Sequence, residues 1–257
     1  MTALSGLLQA LAGGEVDVID LTQPLSEATP IIQLPPPLAN TPGWKMHEIS
    51  HYDDAGPAWY WNWFEGGEHV GTHLDAPIHW ITGQDSDDVS EIPVRNLIGP
   101  AAVLDATERV AADPDFLLSI GDVRAFESEQ GPLPEGGWLL YRTGWDARAQ
   151  DQAAFLNADD TGPHSPGIAI DCAKWLAEET PIVGLGVETV GTDAGKAHSF
   201  EPAFPCHTYM LGANKYGLTQ LANLSQLPPT GSILVVAPLK IVRGSGSPAR
   251  VLALVPR

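Results

Sequence analysis

Glycine and proline interrupt this chain so often that no element in it can run long. There are 26 glycines and 23 prolines among 257 residues, spread from end to end rather than gathered in one linker. Glycine weakens element interiors and proline removes a backbone donor, so the chain is cut into many short pieces. The apolar runs between interruptions have strand length: 16–22, 58–64, 101–106, 138–144, 182–188, 232–240 and 249–255. Helical patterns are fewer. They cover 2–12, ended by Gly13-Gly14; 121–131, with Asp122 as its expected cap; and 170–179, with Asp171 as its expected cap and Pro181 beyond its end. Residues 204–213 fit a helical turn, and 29–45, which includes Pro35-Pro36-Pro37, reads as a long loop of the kind that binds or covers ligands. Strands outnumber interspersed helices, which predicts an α/β fold with a mixed sheet or barrel-like core.

The length suits one domain spanning residues 1–257. No apolar run approaches the ~18 residues of a membrane span. With 13 Lys+Arg against 32 Asp+Glu, the formal net charge is −19. Phosphate backbones and anionic membrane surfaces are therefore poor partners, and a small molecule is the expected one. Cys172 and Cys206 are too few for a disulfide framework, and their spacing matches no Cys-x-x-Cys metal site. The opening MTALSGLLQALAGGEVD has neither a basic start nor a small-residue cleavage site, so a cytoplasmic location is expected.

Chemistry concentrates in EHVGTHLDAPIHW, residues 68–80, where His69, His73, Asp75 and His79 crowd together. Three of the chain's eight histidines fall within eleven residues, far more than uniform scatter would place there. Imidazole and carboxylate are ligands that divalent transition metals favour. His69 and His73 are four apart, so a helical turn or a tight loop can aim both at one ion, and Pro77 stops any helix beyond. Ligation from a short turn-loop is thus expected, with Gly67 and Gly71 allowing close backbone approaches. Two histidines and one carboxylate leave coordination positions open, as a catalytic metal requires.

An aromatic strip, PAWYWNWFEGG at 57–67, runs straight into this motif. On a strand Trp59, Trp61 and Trp63 share one face, and Tyr60, Asn62 and Phe64 the other. Such a strip packs in a core, forms a dimer interface, or walls a pocket for a planar substrate. For the last role Trp63 and Trp80 are the candidates, being nearest in sequence to the metal ligands. The chain lacks Gly-x-Ser-x-Gly, His-Glu-x-x-His and Gly-x4-Gly-Lys-Ser/Thr motifs. Ser165, Ser199 and Ser245 sit in no nucleophile context. Glu188 and Asp193 flank a strand end, where paired carboxylates can do acid/base work but more often serve as loop-end hydrogen-bonding or capping groups. The glycine turn in RGSGSP, residues 243–248, leads into a strand rather than a helix, which argues against a phosphate loop.

The stretch HVGTHLDAPIH matches H-x-G-T-H-x-D-x-P-x-H at every fixed position. That pattern resembles the signature of the cyclase family of metal-dependent hydrolases, which includes bacterial kynurenine formamidases and isatin hydrolases. The resemblance extends more loosely to VIDLTQPL at 18–25, GVETVGTD at 186–193, and His207 ahead of NLSQL at 223–227. It implies a swivelling β/β/α domain assembled as a homodimer or larger homo-oligomer. It makes His69, His73 and Asp75 metal ligands and His79 the catalytic acid/base. His207 matches a histidine that holds a second ion in formamidase-like members. The glutamate expected about a dozen residues later is replaced here by Gln220. A neutral amide is a poorer ligand for a second dication but can still offer one oxygen. Isatin hydrolases are similar in pairing such a glutamine with a single manganese. The resemblance therefore implies one Mn²⁺, with Zn²⁺ as the alternative, on His69, His73, Asp75 and Gln220, and a second-sphere or proton-transfer role for His207. The activity it implies is opening of a small cyclic amide such as isatin. A two-zinc aryl formamidase, or a non-catalytic metal-binding protein, are the alternatives.

Overall fold

The computed structural model describes residues 2–257. Its strands are β1 (Val16–Asp20), β2 (Lys45–His51), β3 (Tyr60–Glu65), β4 (His73–Asp75), β5 (Ile98–Asp105), β6 (Trp138–Arg142), β7 (Gly184–Val187), β8 (Tyr216–Thr219), β9 (Ser232–Pro238) and β10 (Gly246–Pro256), besides three pairings of short two-residue strands and bridges. All but β2 and β3 share one sheet, in the order β1-β10-β9-β5-β6-β7-β8-β4. Because β4 also pairs with β10, seven of them close into a mixed barrel-like ring. The joins β5–β6, β6–β7 and β7–β8 are parallel and the rest antiparallel. Closure removes free edges that would otherwise invite another strand. The fold class expected from the sequence is the one observed.

Strand alternation sorts the apolar residues onto two sides. Leu140, Leu218, Leu74 and Val251 pack in one cluster, while Leu139, Tyr141, Leu185 and Val187 pack in another with Cys172 and Leu176. The second cluster is covered by α2 (Ile120–Gln130) and α3 (Ile170–Glu178), whereas α1 (Ala3–Gly13) precedes β1. Two expected caps shift. Ser119, not Asp122, caps α2; its side chain accepts from the Asp122 amide while Asp122 reaches back to the Ser119 amide, a reciprocal capping box. Asp171 lies in the first turn of α3 behind the cap Ala169, where its charge still faces the positive end of the helix.

The expected long loop holds until Lys45, where β2 begins and pairs with β3 as an isolated antiparallel hairpin. That hairpin carries the aromatic strip. Met46, Ile49, Trp59, Tyr60, Trp61, Trp63 and Phe64 are all exposed on or beside it. Cys172 and Cys206 are both free and buried.

Candidate metal centre and active site

The barrel closes through β4, and that closure builds the centre. Alternate residues of a strand share a face, so His73 and Asp75 project together while Leu74 enters the core. Two of the motif's three expected ligands therefore lie on a strand rather than in the expected turn-loop, which holds only for His69. Three residues are too few to show a period in sequence, and the pairing that fixes them is remote. Thr219 and Gly217 of β8 lie opposite His73 and Asp75 on one side, and Pro248 and Gly246 of β10 on the other. His69 reaches the same place from the bend ahead of β4. There Gly71 turns the chain with a φ of 64°, a left-handed conformation in which a side chain would be strained. His79 arrives from the far side in a 3-10 turn, Pro77–His79.

Asp75 Oδ1 lies 2.8 Å from His69 Nδ1 and 3.3 Å from His73 Nε2. His73 Nδ1 stands 2.7 Å from the Gly71 carbonyl, which can only accept, so Nδ1 bears a hydrogen, while Nε2 faces Asp75. Burial pushes the Asp75 carboxyl up, but His73 and His69 outweigh it and hold the group well below the usual carboxylate range. One ligand-type atom each from His69, Asp75 and His79 falls within a 4.8 Å span, so His79 joins two of the expected ligands in one cluster.

Gln220 follows directly on Thr219, the partner of His73. It is 1% exposed, with a left-handed φ of 53°. Its Nε2 donates to the Pro30 carbonyl, while its Oε1 is buried without a hydrogen-bond partner. A buried oxygen left unpaired costs about 1–3 kcal/mol, and a cation would remove that cost. Imidazole nitrogens, a carboxylate and an amide oxygen form a donor set that fits a divalent ion such as Mn²⁺ or Zn²⁺.

The remaining site residues form a layer above this centre. The His79 ring stacks on His69 at 3.9 Å and lies 5.5 Å from His207. Burial, together with the neighbouring histidines and against the pull of Asp75, lowers His79 to about 3, so it is a neutral base at pH 7. His207 is the opposite case. Burial opposes its charge, but Asp193 Oδ2, 2.5 Å from Nδ1, outweighs burial and raises it. Asp193 also accepts from the amides of Cys206 and His207, so it fixes both backbone and ring. Asp193 thus braces a histidine as well as a loop end; its reach to His207 crosses a turn that spacing does not reveal.

Trp80 packs on His207 at 4.8 Å and on Phe204 at 5.6 Å, and its Nε1 donates to Thr208. Phe204 went unnoticed in the sequence. The two tryptophans singled out there are placed differently. Trp80 joins the histidine layer, whereas Trp63 sits on the hairpin, 49% exposed, stacked on His47. Glu188 does the capping work expected of it: Oε2 accepts from the Thr143, Gly144 and Trp145 amides and the Thr143 hydroxyl.

The model of a family described as putative cyclase matches residues 19–194. The chain is 52% identical over 259 residues to an isatin hydrolase of Roseibium aggregatum, covering 100% of this chain and 98% of that protein. It is 29% identical to a kynurenine formamidase of Salinibacter ruber over 189 residues, 71% of this chain and 74% of the relative. A crystal structure of an isatin hydrolase bound to the product analogue thioisatinate superposes with a TM-score of 0.97 at 51% identity, over all of both chains.

Proposed function

Because the chain belongs to the putative cyclase family, we propose that it is a metal-dependent hydrolase that opens the cyclic amide of isatin to give isatinate. The observation that carries this choice is the extent of the likeness. Similarity to isatin hydrolase runs the full length of the chain at 52% identity, whereas similarity to kynurenine formamidases is much weaker, at 29% over 71% of the chain and 24% over 91% of it. Gln220 supports the same choice, since its unpartnered amide oxygen suits one ion better than a pair.

We assign the ion to His69, His73, Asp75 and Gln220, with Mn²⁺ preferred over Zn²⁺ because two of the four donors are oxygens. A divalent ion so held supplies a Lewis acid for the amide carbonyl and lowers the pKa of water toward ~7. His79, neutral and facing the centre, takes the proton from the attacking water and returns it to the departing ring nitrogen. Water oxygen joins the carbonyl carbon, the carbon–nitrogen bond breaks, and a carboxylate and an aryl amine result. His207, whose ring is braced by Asp193, stands beside His79 as a second proton-transfer group. Trp80 and Phe204 form the wall on which a flat bicyclic ring stacks.

We assign Trp63 to an interface. The hairpin exposes apolar side chains on both of its faces, more than a lone soluble chain leaves bare, which supports a homodimer covering them. Strand β1 from the start of the chain pairs with β10 from its end, on the ring built between them, which supports one domain over 1–257. No helix among the described residues is long and apolar enough to cross a membrane. Two free buried thiols suit the cytoplasm. The test of the function is elemental analysis of purified protein, then assay of the manganese-loaded form on isatin and N-formylkynurenine. One ion per chain and preferential loss of isatin absorbance are expected. Two ions per chain with faster formamide cleavage would replace this reading with the formamidase.

A further inference from the structure

The Gly-Ser-Gly turn at 244–246 is no phosphate loop, yet it is built against the metal centre. Ser245 Oγ lies 2.9 Å from His69 Nε2, on the opposite side of the ring from Asp75. Glu68 Oε2 accepts from both the amide and the hydroxyl of Ser245, at 3.0 and 2.7 Å. The turn is pinned on both flanks. Val89 N donates to the Gly244 carbonyl, Ala76 N to the Ser245 carbonyl, and Arg243 N to Asp88. Gly246 pairs with Asp75 itself, and a Cβ there would lie 2.4 Å from His69 Cε1. Only glycine lets the turn come this close to the ring.

Ser245 has one hydroxyl hydrogen, and Glu68, which can only accept, takes it. The serine oxygen is then left as an acceptor toward His69 Nε2, while Asp75, also only an acceptor, faces Nδ1 at 2.8 Å. With acceptors at both nitrogens, a cation between Nδ1 and Asp75 would leave the ring's one hydrogen on Nε2, held by the serine. We propose that Glu68 and Ser245 are positioning residues of the metal centre, a serine-relayed carboxylate that fixes the tautomer and ring plane of His69 so that Nδ1 is the ligand atom. This rests on the assignment of His69 to the metal. Outer hydrogen bonds of this kind orient ligating imidazoles, and losing them typically costs about 10–100-fold in metal affinity.

The test is a Mn²⁺ titration of chelator-stripped full-length protein, with free Mn²⁺ read by electron paramagnetic resonance, on the parent, Ser245→Ala, Glu68→Gln and the double variant. Ser245→Ala should weaken binding about 10–100-fold. Glu68→Gln should fall between it and the parent, because the amide still offers one oxygen. The double variant should bind no more weakly than Ser245→Ala, since a relay already cut at the serine cannot be cut again; two independent structural effects would add. Nitrogen-15 spectra of the Zn²⁺-loaded parent should show His69 protonated at Nε2. Parent-like affinity in Ser245→Ala and Glu68→Gln, additive losses, or a hydrogen on Nδ1 would each overturn the proposal. Should Ser245→Ala fail to fold, Glu68→Gln and the parent spectrum still decide it. A parent that takes up neither Mn²⁺ nor Zn²⁺ overturns the metal centre itself and this proposal with it.

Discussion

Two regions less than ten residues apart in sequence obey opposite rules. Around β4, polar side chains are buried and aimed at one another: His73 and Asp75 are 4% and 2% exposed. On the β2–β3 hairpin, apolar side chains stand in solvent: Trp61 and Phe64 are 54% and 53% exposed. Buried charge and exposed aromatic surface are both costly for a chain alone. Each is therefore proposed to be completed from outside the polypeptide, by a cation in the first region and a second copy of the chain in the second. The difference teaches that burial alone marks neither function nor stability. What matters is whether each group's natural partner is already in the chain.

The strongest break of that comparison is removal of the ligands. Asp75→Asn or His73→Ala should abolish metal retention and isatin hydrolysis together, giving uncatalysed rates in an assay paired with elemental analysis. A variant that keeps stoichiometric metal would place the ion elsewhere. His79→Ala sharpens the same region. It should retain the metal while kcat falls on the order of 10²–10⁴-fold, because only the proton-transfer group is lost. Loss of metal in this variant would make His79 a ligand, as its closeness to His69 and Asp75 allows.

The hairpin is broken by charge. Trp61→Glu places a carboxylate in a face proposed to be covered by a partner copy. Light scattering should show the mass fall from about twice 27.3 kDa to 27.3 kDa, with metal content unchanged. A parent that is already monomeric would leave the aromatic strip as open surface and end the dimer reading.

The two regions were also unequally legible in the sequence. The strands β5, β6, β7, β9 and β10 were readable because each is a continuous apolar run between turn residues. The metal motif was readable because its ligands sit within eleven residues. Strands β2, β4 and β8 were not. β2 mixes Lys45, His47, Glu48 and His51 into its length, β4 has three residues, and β8 has four. Contacts across long separations were equally hidden. Ser245 meets His69 over 176 residues, and Asp193 reaches His207 only because the π-helical turn at His207–Leu211 begins there. The strip at 57–67 announced that its aromatic rings matter, but nothing in its composition says whether they face the same chain or another.

The smallest effect concerns a carboxylate buried beside this centre's scaffold but away from its histidines. Asp75 and Glu188 are nearly equally buried, yet their carboxyls move in opposite directions. Imidazoles hold Asp75 low, whereas burial pushes Glu188 up to about 6 despite the three amides and one hydroxyl that donate to it. Because the folded state holds this proton more tightly than the unfolded chain does, the stability Glu188 contributes is greatest below its ordinary value of 4.5 and is lost as pH climbs through about 6. Glu188→Gln removes the titration and keeps an acceptor oxygen. In melting curves between pH 7.5 and 4.5, the parent should gain on this variant as pH falls, by at most about 2 kcal/mol at about 1.4 kcal/mol per pKa unit. A difference that stays flat with pH would mean that amide donors alone hold a buried carboxylate charged here. In that case burial would not be what separates Glu188 from Asp75.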